Sequence, residues 1–298
     1  MKAHTSAPQD PQLERRLTAH VRALSETIGN RGISDYANLQ KAAEYIEAQL
    51  LSFGYTVQHQ SYEISGRTTA NLIAERRGTR KPDEIIIVGA HYDTCYNPGA
   101  DDNASGVAGL IELARVFGAR PVDRTVRFVA FTSEEPPYFQ TGFMGSRVYT
   151  RALKEAGETI DGAVILEMLG YYDPRPFSQR YPPIFGFLYP NRGDFIGVVS
   201  NFRSAKLLRR VRDAFKQTSA FPIESVVTLE SVPGITWSDH GSFWREGYPA
   251  VMVTDTAYFR NPHYHVASDT WEKLDYMRMA CVVEGLAGAV NDLVTVKQ

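Results

Sequence analysis

Residues 84–93 read Glu84-Ile85-Ile86-Ile87-Val88-Gly89-Ala90-His91-Tyr92-Asp93. The four consecutive β-branched residues at 85–88 predict a strand that is buried on both faces, as in a parallel sheet covered by helices. The polar residues that follow stand where the carboxyl end of this strand would lie. Ligands of open α/β sheets bind beyond the carboxyl ends of the strands, so the segment predicts both a fold class and the position of a site.

Strands and helices alternate along the rest of the chain. The other predicted strands cover residues 55–62, 70–76, 125–132, 163–166 and 249–254. The predicted helices cover about 10–28, 36–53, 104–117, 145–156, 204–217 and 272–296. This alternation is typical of an α/β fold, here a three-layer sandwich with a mixed, mostly parallel central sheet and helices on both faces.

Length and composition limit the domain organisation and the class of protein. The 298 residues contain no repeat, low-complexity tract or Gly/Ser linker, which favours one domain over 1–298 with a helical lead-in at 1–55. The 32 basic and 34 acidic residues give a net charge of −2, so we expect no nucleic-acid and no membrane partner. The cysteines, Cys95 and Cys281, cannot form a disulfide scaffold, and we expect two free thiols.

The sequence shows no pattern typical of a transmembrane helix or of a signal peptide. No apolar run approaches the ~20 residues of a transmembrane helix. The start of the chain lacks the apolar region of a signal peptide. We therefore expect a cytoplasmic protein, with an exported mature form as the alternative.

Polar residues follow four of the predicted strands, and their types suit a metal ion. His91 and Asp93, the pair Glu134-Glu135, Glu167 and His265 each come after a strand. Imidazole and carboxylate ligands together suit Zn²⁺, and also Co²⁺ or Mn²⁺. The motifs HExxH, Walker A, GxGxxG and GxSxG are absent, so a helix-borne zincin, a nucleotide-binding enzyme and a serine hydrolase each lose their main signature.

Each of these motifs has a simpler explanation when it is taken alone. His91 and Asp93 face the same side of an extended segment, as a metal ligand and the partner that orients it would, but such a pair also occurs on ordinary surfaces. The Asp and Asn residues of the 98–106 loop are good helix caps. Glu134-Glu135 is either a solvated acidic loop or a pair whose repulsion metal cations relieve.

Taken together, the segments resemble those of the M28 family of metallopeptidases, the co-catalytic dizinc aminopeptidases. The matching stretches are Val88-Gly89-Ala90-His91-Tyr92-Asp93-Thr94, residues 98–106, Ser133-Glu134-Glu135, Leu166-Glu167-Met168, Ser238-Asp239-His240, His263-Tyr264-His265 and Ser268-Asp269-Thr270. They occur in the family's order over about 84–275. The resemblance implies a phosphorylase/hydrolase-like zinc exopeptidase fold, with 1–298 as one M28-type domain and 56–298 as its catalytic core.

The resemblance also implies a role for individual residues. The metal ligands would be His91, Asp102, Glu135, Glu167 and His265, holding two Zn²⁺ per chain. Asp102 would bridge the two ions, with Glu167 on the side of His91 and Glu135 on the side of His265. The best-known members carry Asp at the position of Glu167, and His263 is the competing ligand to His265. The family also has a cis peptide after the bridging residue, here Asp102–Asn103.

The implied reaction is hydrolysis of N-terminal residues from peptides with a free N-terminus by a metal-bridging hydroxide. Glu134 would be the general base and Asp93 would orient His91. Tyr258 is the best candidate for a substrate-pocket residue, and His240 is expected to be structural. The main competing hypothesis is a glutaminyl-peptide cyclase, a single-zinc acyltransferase on a related fold. A non-catalytic interaction module, a carboxypeptidase and a dipeptidase are three further hypotheses. The oligomeric state is not predicted.

Overall fold

An eight-stranded sheet lies at the centre of the protein. The computed structural model describes residues 8–182 and 185–297. The strands are β1 (Val57–Ile64), β2 (Arg67–Arg76), β3 (Lys81–His91), β4 (Arg124–Phe131), β5 (Ile160–Glu167), β6 (Ile196–Ser200), β7 (Ile223–Val227) and β8 (Ala250–Thr254). Their order across the sheet is β1-β2-β4-β3-β5-β8-β6-β7.

The pairing of the strands confirms the predicted mixed, mostly parallel sheet. The pairs β3–β4, β3–β5, β5–β8 and β6–β7 are parallel. The pairs β1–β2, β2–β4 and β6–β8 are antiparallel. Strands β6 and β7 lie in a part of the chain for which the sequence predicts no strand, and they extend the sheet beyond β8.

Helices cover both faces of the sheet, as predicted. They are α1 (Leu13–Arg22), α2 (Tyr36–Ser52), α3 (Gly106–Phe117), α4 (Gly145–Glu155), α5 (Ala205–Thr218), α6 (His240–Arg245) and α7 (Tyr276–Val294). Apolar residues of α1, α2, α3, α5 and α7 share one buried cluster. Apolar residues of α4 and α6 belong to a second cluster.

The apolar run of β3 contributes to both clusters. Ile86 and Val88 pack in the first cluster, and Ile85 and Ile87 in the second. This alternation is what a strand covered on both faces requires. The run therefore forms the doubly buried strand that it predicts.

The lead-in packs closely against the rest of the chain. Helix α1 continues into a π-helical turn at Ala23–Ile28 and contacts α3 and α7. The division at residue 55 and the single-domain organisation stay predictions. Within 8–182 and 185–297, none of the helices is both long enough and apolar enough to cross a membrane.

Candidate active site

The structure brings the five predicted metal ligands together at the carboxyl ends of the parallel strands. His91 Nε2 lies 3.4 Å from Asp102 Oδ1 and 3.5 Å from Glu167 Oε1. His265 Nε2 lies 3.0 Å from Asp102 Oδ2 and 3.2 Å from Glu135 Oε2. The two oxygens of Asp102 thus face two different histidines, as a bridging carboxylate would.

These separations fit ligand atoms that share a cation. Two atoms that each lie ~2.1 Å from a tetrahedral ion are about 3.4 Å apart. Both ring nitrogens of His91, Glu135 Oε1 and His265 Nε2 are buried without a hydrogen bond of normal geometry among the described residues. Because buried polar atoms normally have partners, and nitrogen and oxygen donors suit zinc, this set of residues fits two metal ions.

The pKa shifts of the site residues also fit bound metal ions. Burial disfavours the His265 imidazolium, but Asp102 and Glu135 outweigh this and raise its pKa to about 10. Burial and the charge of Asp102 raise the pKa of Glu135 to about 8. Burial also raises the pKa of Glu134 well above its usual value. Bound cations would relieve this crowding of carboxylates.

Asp93 holds the backbone that carries the two glutamates. Its Oδ1 accepts a hydrogen bond from the amide of Glu134 at 3.1 Å, and its Oδ2 accepts one from Glu135 at 3.0 Å. Asp93 Oδ1 also lies 3.6 Å from His91 Nδ1, which is longer than a normal hydrogen bond. The sequence predicts only the contact with His91. The two hydrogen bonds from backbone amides to Asp93 are seen only in the structure.

The loop that carries Asp102 is fixed from several directions. The peptide bond Asp102–Asn103 is cis, as the family resemblance implies. Asp269 accepts hydrogen bonds from the amides of Asp101 at 2.9 Å and Asp102 at 3.1 Å. The side chain of Asn103 donates to the carbonyl of Leu166 at 2.8 Å and so ties the loop to β5. Asp269 and Asn103 lie in the motif segments, but the sequence does not predict these contacts.

Gly99 allows this loop to turn. Its φ of 58° lies in the left-handed region that favours glycine. A Cβ at this position would lie 2.3 Å from both the Asp102 carbonyl oxygen and Thr94 Cγ2. A larger residue would therefore displace the backbone next to the proposed bridging carboxylate.

Arg31 supports the same region from the lead-in, and the sequence does not single it out. The side chain is fully buried. Its guanidinium donates to the carbonyls of Tyr92 at 2.8 Å, Pro98 at 2.6 Å and Gly99 at 2.8 Å. Burial lowers the pKa of Arg31 to about 10, although Asp269 and the carboxylates of the site oppose the shift. One arginine thus joins the end of β3 to the start of the loop that carries Asp102.

The sequence of the region that carries the site identifies the family. The Peptidase family M28 model matches residues 71–290. The chain belongs to peptidase family M28. This M28 chain is 40% identical to the uncharacterized protein YfbL of Escherichia coli (strain K12), over 96% of this chain and 90% of YfbL.

Other proteins resemble this M28 chain in sequence or in fold. It is 28% identical to leucine aminopeptidase 1 of Arthroderma otae over 70% of this chain, and the alignment covers 54% of that protein, so this chain spans about half of its length. The structure of BSAP, a zinc aminopeptidase from Bacillus subtilis, aligns with a TM-score of 0.76 at 18% identity over 95% of each chain. Fimbriiglobus ruber glutaminyl cyclase aligns with a TM-score of 0.69 at 25% identity over 98% of this chain and 99% of that chain.

Three other candidate residues of this M28 chain lie outside the set of five proposed metal ligands. His263 Nδ1 pairs with Ser268 Oγ at 2.8 Å and is not part of the carboxylate cluster. Tyr258 lines a pocket beside Glu167, as expected of a substrate-pocket residue, although that role stays a prediction. The sulfur of Cys95 lies within 4.8 Å of ligand atoms of Glu135 and His265. Cys95 is a free thiol, as predicted.

His240 lies in the core beside the site. Its Nε2 is 2.6 Å from the Ile235 carbonyl oxygen, and its ring meets Trp244 edge-on at 4.5 Å. Burial lowers the pKa of His240 to about 4, with the Ile235 contact opposing the shift. These contacts fit the structural role that the sequence predicts.

Replacing His240 should therefore change how stability depends on pH. The pKa of His240 is lower in the folded chain than in the unfolded chain, so its stabilising effect is complete above ~pH 6.5 and is lost as the pH falls towards 4. We expect His240→Gln to reduce the loss of unfolding free energy between pH 7 and 4 by about 3 kcal/mol. Urea unfolding across this range measures the difference. His59→Gln is the control because its ring is 43% exposed. An unchanged pH dependence in His240→Gln would contradict the assignment.

Proposed function

We propose that this chain is a zinc-dependent aminopeptidase that hydrolyses the peptide bond after a free N-terminal residue. The observation that carries the proposal is the position of Asp102 between two histidines, at 3.4 Å from His91 and 3.0 Å from His265. Such an arrangement suits a pair of metal ions. Relatives named leucine aminopeptidase and zinc aminopeptidase support the assignment.

Two groups of residues would hold the metals. His91, Asp102 and Glu167 would hold one ion, and His265, Asp102 and Glu135 the other. When bound, the ions supply a water of lowered pKa and polarise the carbonyl of the substrate. Ser238 donates a hydrogen bond to Glu167 Oε2 at 2.6 Å, which leaves Oε1 directed at His91. The longer Glu167 side chain therefore still brings a carboxylate oxygen within reach of an ion that His91 would bind.

Glu134 would move the proton. Its Oε2 lies 4.0 Å from His91 Nε2, so its carboxylate faces the same space as the proposed ligands. Burial raises the pKa of Glu134, which makes it a stronger base than an exposed glutamate. Glu134 would accept the proton of the attacking water and deliver it to the leaving amine as the C–N bond breaks.

Glu134 would also select an exopeptidase substrate. It is not among the proposed metal ligands, so its carboxylate is free to attract the ammonium group of a free N-terminus. A blocked N-terminus loses that attraction. The proposed partner is therefore a peptide with a free α-amine.

Glutaminyl cyclase is the second candidate because the cyclase of Fimbriiglobus ruber shares the fold over nearly its full length. A cyclase would use the substrate's own α-amine as the nucleophile and release ammonia from an N-terminal glutamine. The second histidine with its own carboxylate partner, His265 with Glu135 at 3.2 Å, favours two metals and hydrolysis.

A substrate panel separates these functions. We expect the metal-loaded chain to release free amino acids from aminoacyl-anilides, to lose this activity with a chelator and to regain it with Zn²⁺, Co²⁺ or Mn²⁺. Elemental analysis should find about two equivalents of metal per chain. Activity only on N-acetylated substrates would overturn the aminopeptidase assignment. Ring closure of glutaminyl peptides without hydrolysis would establish the cyclase instead.

A further inference from the structure

A pocket that is open to solvent extends across the sheet from the proposed metal site. Its described lining includes Glu167 at one side and Glu224 at the other. Aromatic side chains form much of its wall, among them Tyr181, Tyr189, Trp237, Tyr258 and Tyr264. We refer to this space as the cross-sheet pocket.

Strand register explains how the two glutamates come to line one pocket. Glu167 of β5 is opposite Thr254 of β8, Thr254 is opposite Gly197 of β6, and Gly197 is opposite Glu224 of β7. Residues directly opposite each other project to the same face of a sheet. Glu167 and Glu224 therefore stand in one row on one face, three strand spacings or about 14 Å apart.

The residues between the two glutamates have small side chains, so they leave space above the sheet for a ligand. Gly197 has no side chain, and the threonine beside it is small. The next row along the strands, Met252, Val199 and Val226, is apolar and also lines the pocket. A ligand that enters beside Glu167 thus passes over an apolar floor before it reaches Glu224.

Glu224 is a carboxylate without an ion-pair partner among the described residues. It is half-buried, and burial raises its pKa while the charge of Lys216 on α5 lowers it. Arg180, which does line the pocket, donates to the carbonyl of Tyr258 at 2.9 Å and forms no ion pair with Glu224. Glu224 therefore presents a carboxylate without an ion-pair partner at the far side of a pocket whose wall is largely aromatic and apolar.

We propose that the cross-sheet pocket receives the side chain of the substrate's N-terminal residue and that Glu224 selects a long cationic one, lysine or arginine. This inference rests on the proposed aminopeptidase function. A lysine or arginine side chain combines an apolar stem with a terminal cation, which matches a low apolar floor that ends in a carboxylate. The aromatic walls also favour a cation through their ring faces.

Matched substrates and variants test the proposal on the metal-loaded full chain. Norleucine anilide has the stem of lysine without its charge. We expect the wild type to favour lysine or arginine anilide over norleucine anilide at least tenfold in kcat/KM, chiefly through KM, with a smaller preference at high salt. Glu224→Gln should remove most of this preference by raising KM for the lysine and arginine anilides. Glu155→Gln is the control because Glu155 is exposed at the end of α4.

The outcomes separate this inference from the proposed function. Equal use of lysine and norleucine anilides, or an unchanged ratio in Glu224→Gln, would overturn the role of Glu224 and leave an aminopeptidase. If no anilide is hydrolysed, the proposed function fails. Binding of L-lysinamide and L-norleucinamide, measured by calorimetry, then still tests the pocket. Tighter binding of lysinamide that is lost in Glu224→Gln supports the inference, and equal binding contradicts it.

Discussion

Glu134→Gln should lower kcat by about 10²–10⁴-fold while the fold and the metal content stay as in the wild type. Glutamine has the shape of glutamate but cannot accept the proton of the attacking water. The backbone at this position is held by Asp93, which accepts the Glu134 amide at 3.1 Å, so the substitution leaves the loop in place. Steady-state kinetics on an aminoacyl-anilide, with elemental analysis of the same sample, measure both quantities.

Glu135→Gln is the matched comparison for this experiment. Glu135 is the adjacent residue and is equally buried, but its Oε2 lies 3.2 Å from His265 Nε2. We expect this variant to lose metal from the side of His265, whereas Glu134→Gln keeps it. Near-normal turnover in Glu134→Gln would refute its assignment as the base. Metal loss in both variants would show that Glu134 is a ligand.

Asp102→Asn should weaken both metal sites, by at least about 100-fold in affinity. The two carboxylate oxygens face His91 and His265, and an amide replaces one of them with a donor and removes the charge from both. The substitution conserves volume at a fully enclosed position. Calorimetric titration of the metal-free chain with Zn²⁺, together with elemental analysis after dialysis, gives the affinity and the stoichiometry.

A second variant distinguishes a residue that binds both metals from a residue that binds one. His265→Ala removes a ligand from one side only, so we expect about one tight equivalent of metal to remain. Asp83→Asn, at a side chain that is 95% exposed, should retain two. If Asp102→Asn still binds two metals with wild-type affinity, Asp102 does not bridge them.

The sequence alone predicts those site residues that directly follow an apolar strand. His91 and Glu167 are the last residues of β3 and β5, and both strands carry apolar runs that end at a polar residue. A parallel sheet places such ends together, so the residues converge although they are far apart in the chain. The identity of Asp102 as the residue between the two histidines depends on the family resemblance rather than on local pattern.

Other features depend on distant parts of the chain and leave no local signal. Strands β6 and β7 have five residues each, and short apolar runs do not distinguish a strand from other buried segments. Arginine is rarely fully buried, so nothing in the lead-in indicates that Arg31 reaches the loop at Pro98 and Gly99. Glu224 faces the cross-sheet pocket only because of the register across four strands.

The hydrogen bonds between Asp269 and the loop that carries Asp102 determine when the site can form during synthesis of the chain. Asp269 receives its two hydrogen bonds from amides that lie 168 and 167 positions earlier. At about 5–20 residues per second, the ribosome delivers His265 roughly 10–35 s after His91. During that interval the acidic residues of the site are synthesised one after another, and each lacks His265 and Asp269 as partners. The paired metal site that we propose can therefore form only after residues up to Asp269 have been synthesised.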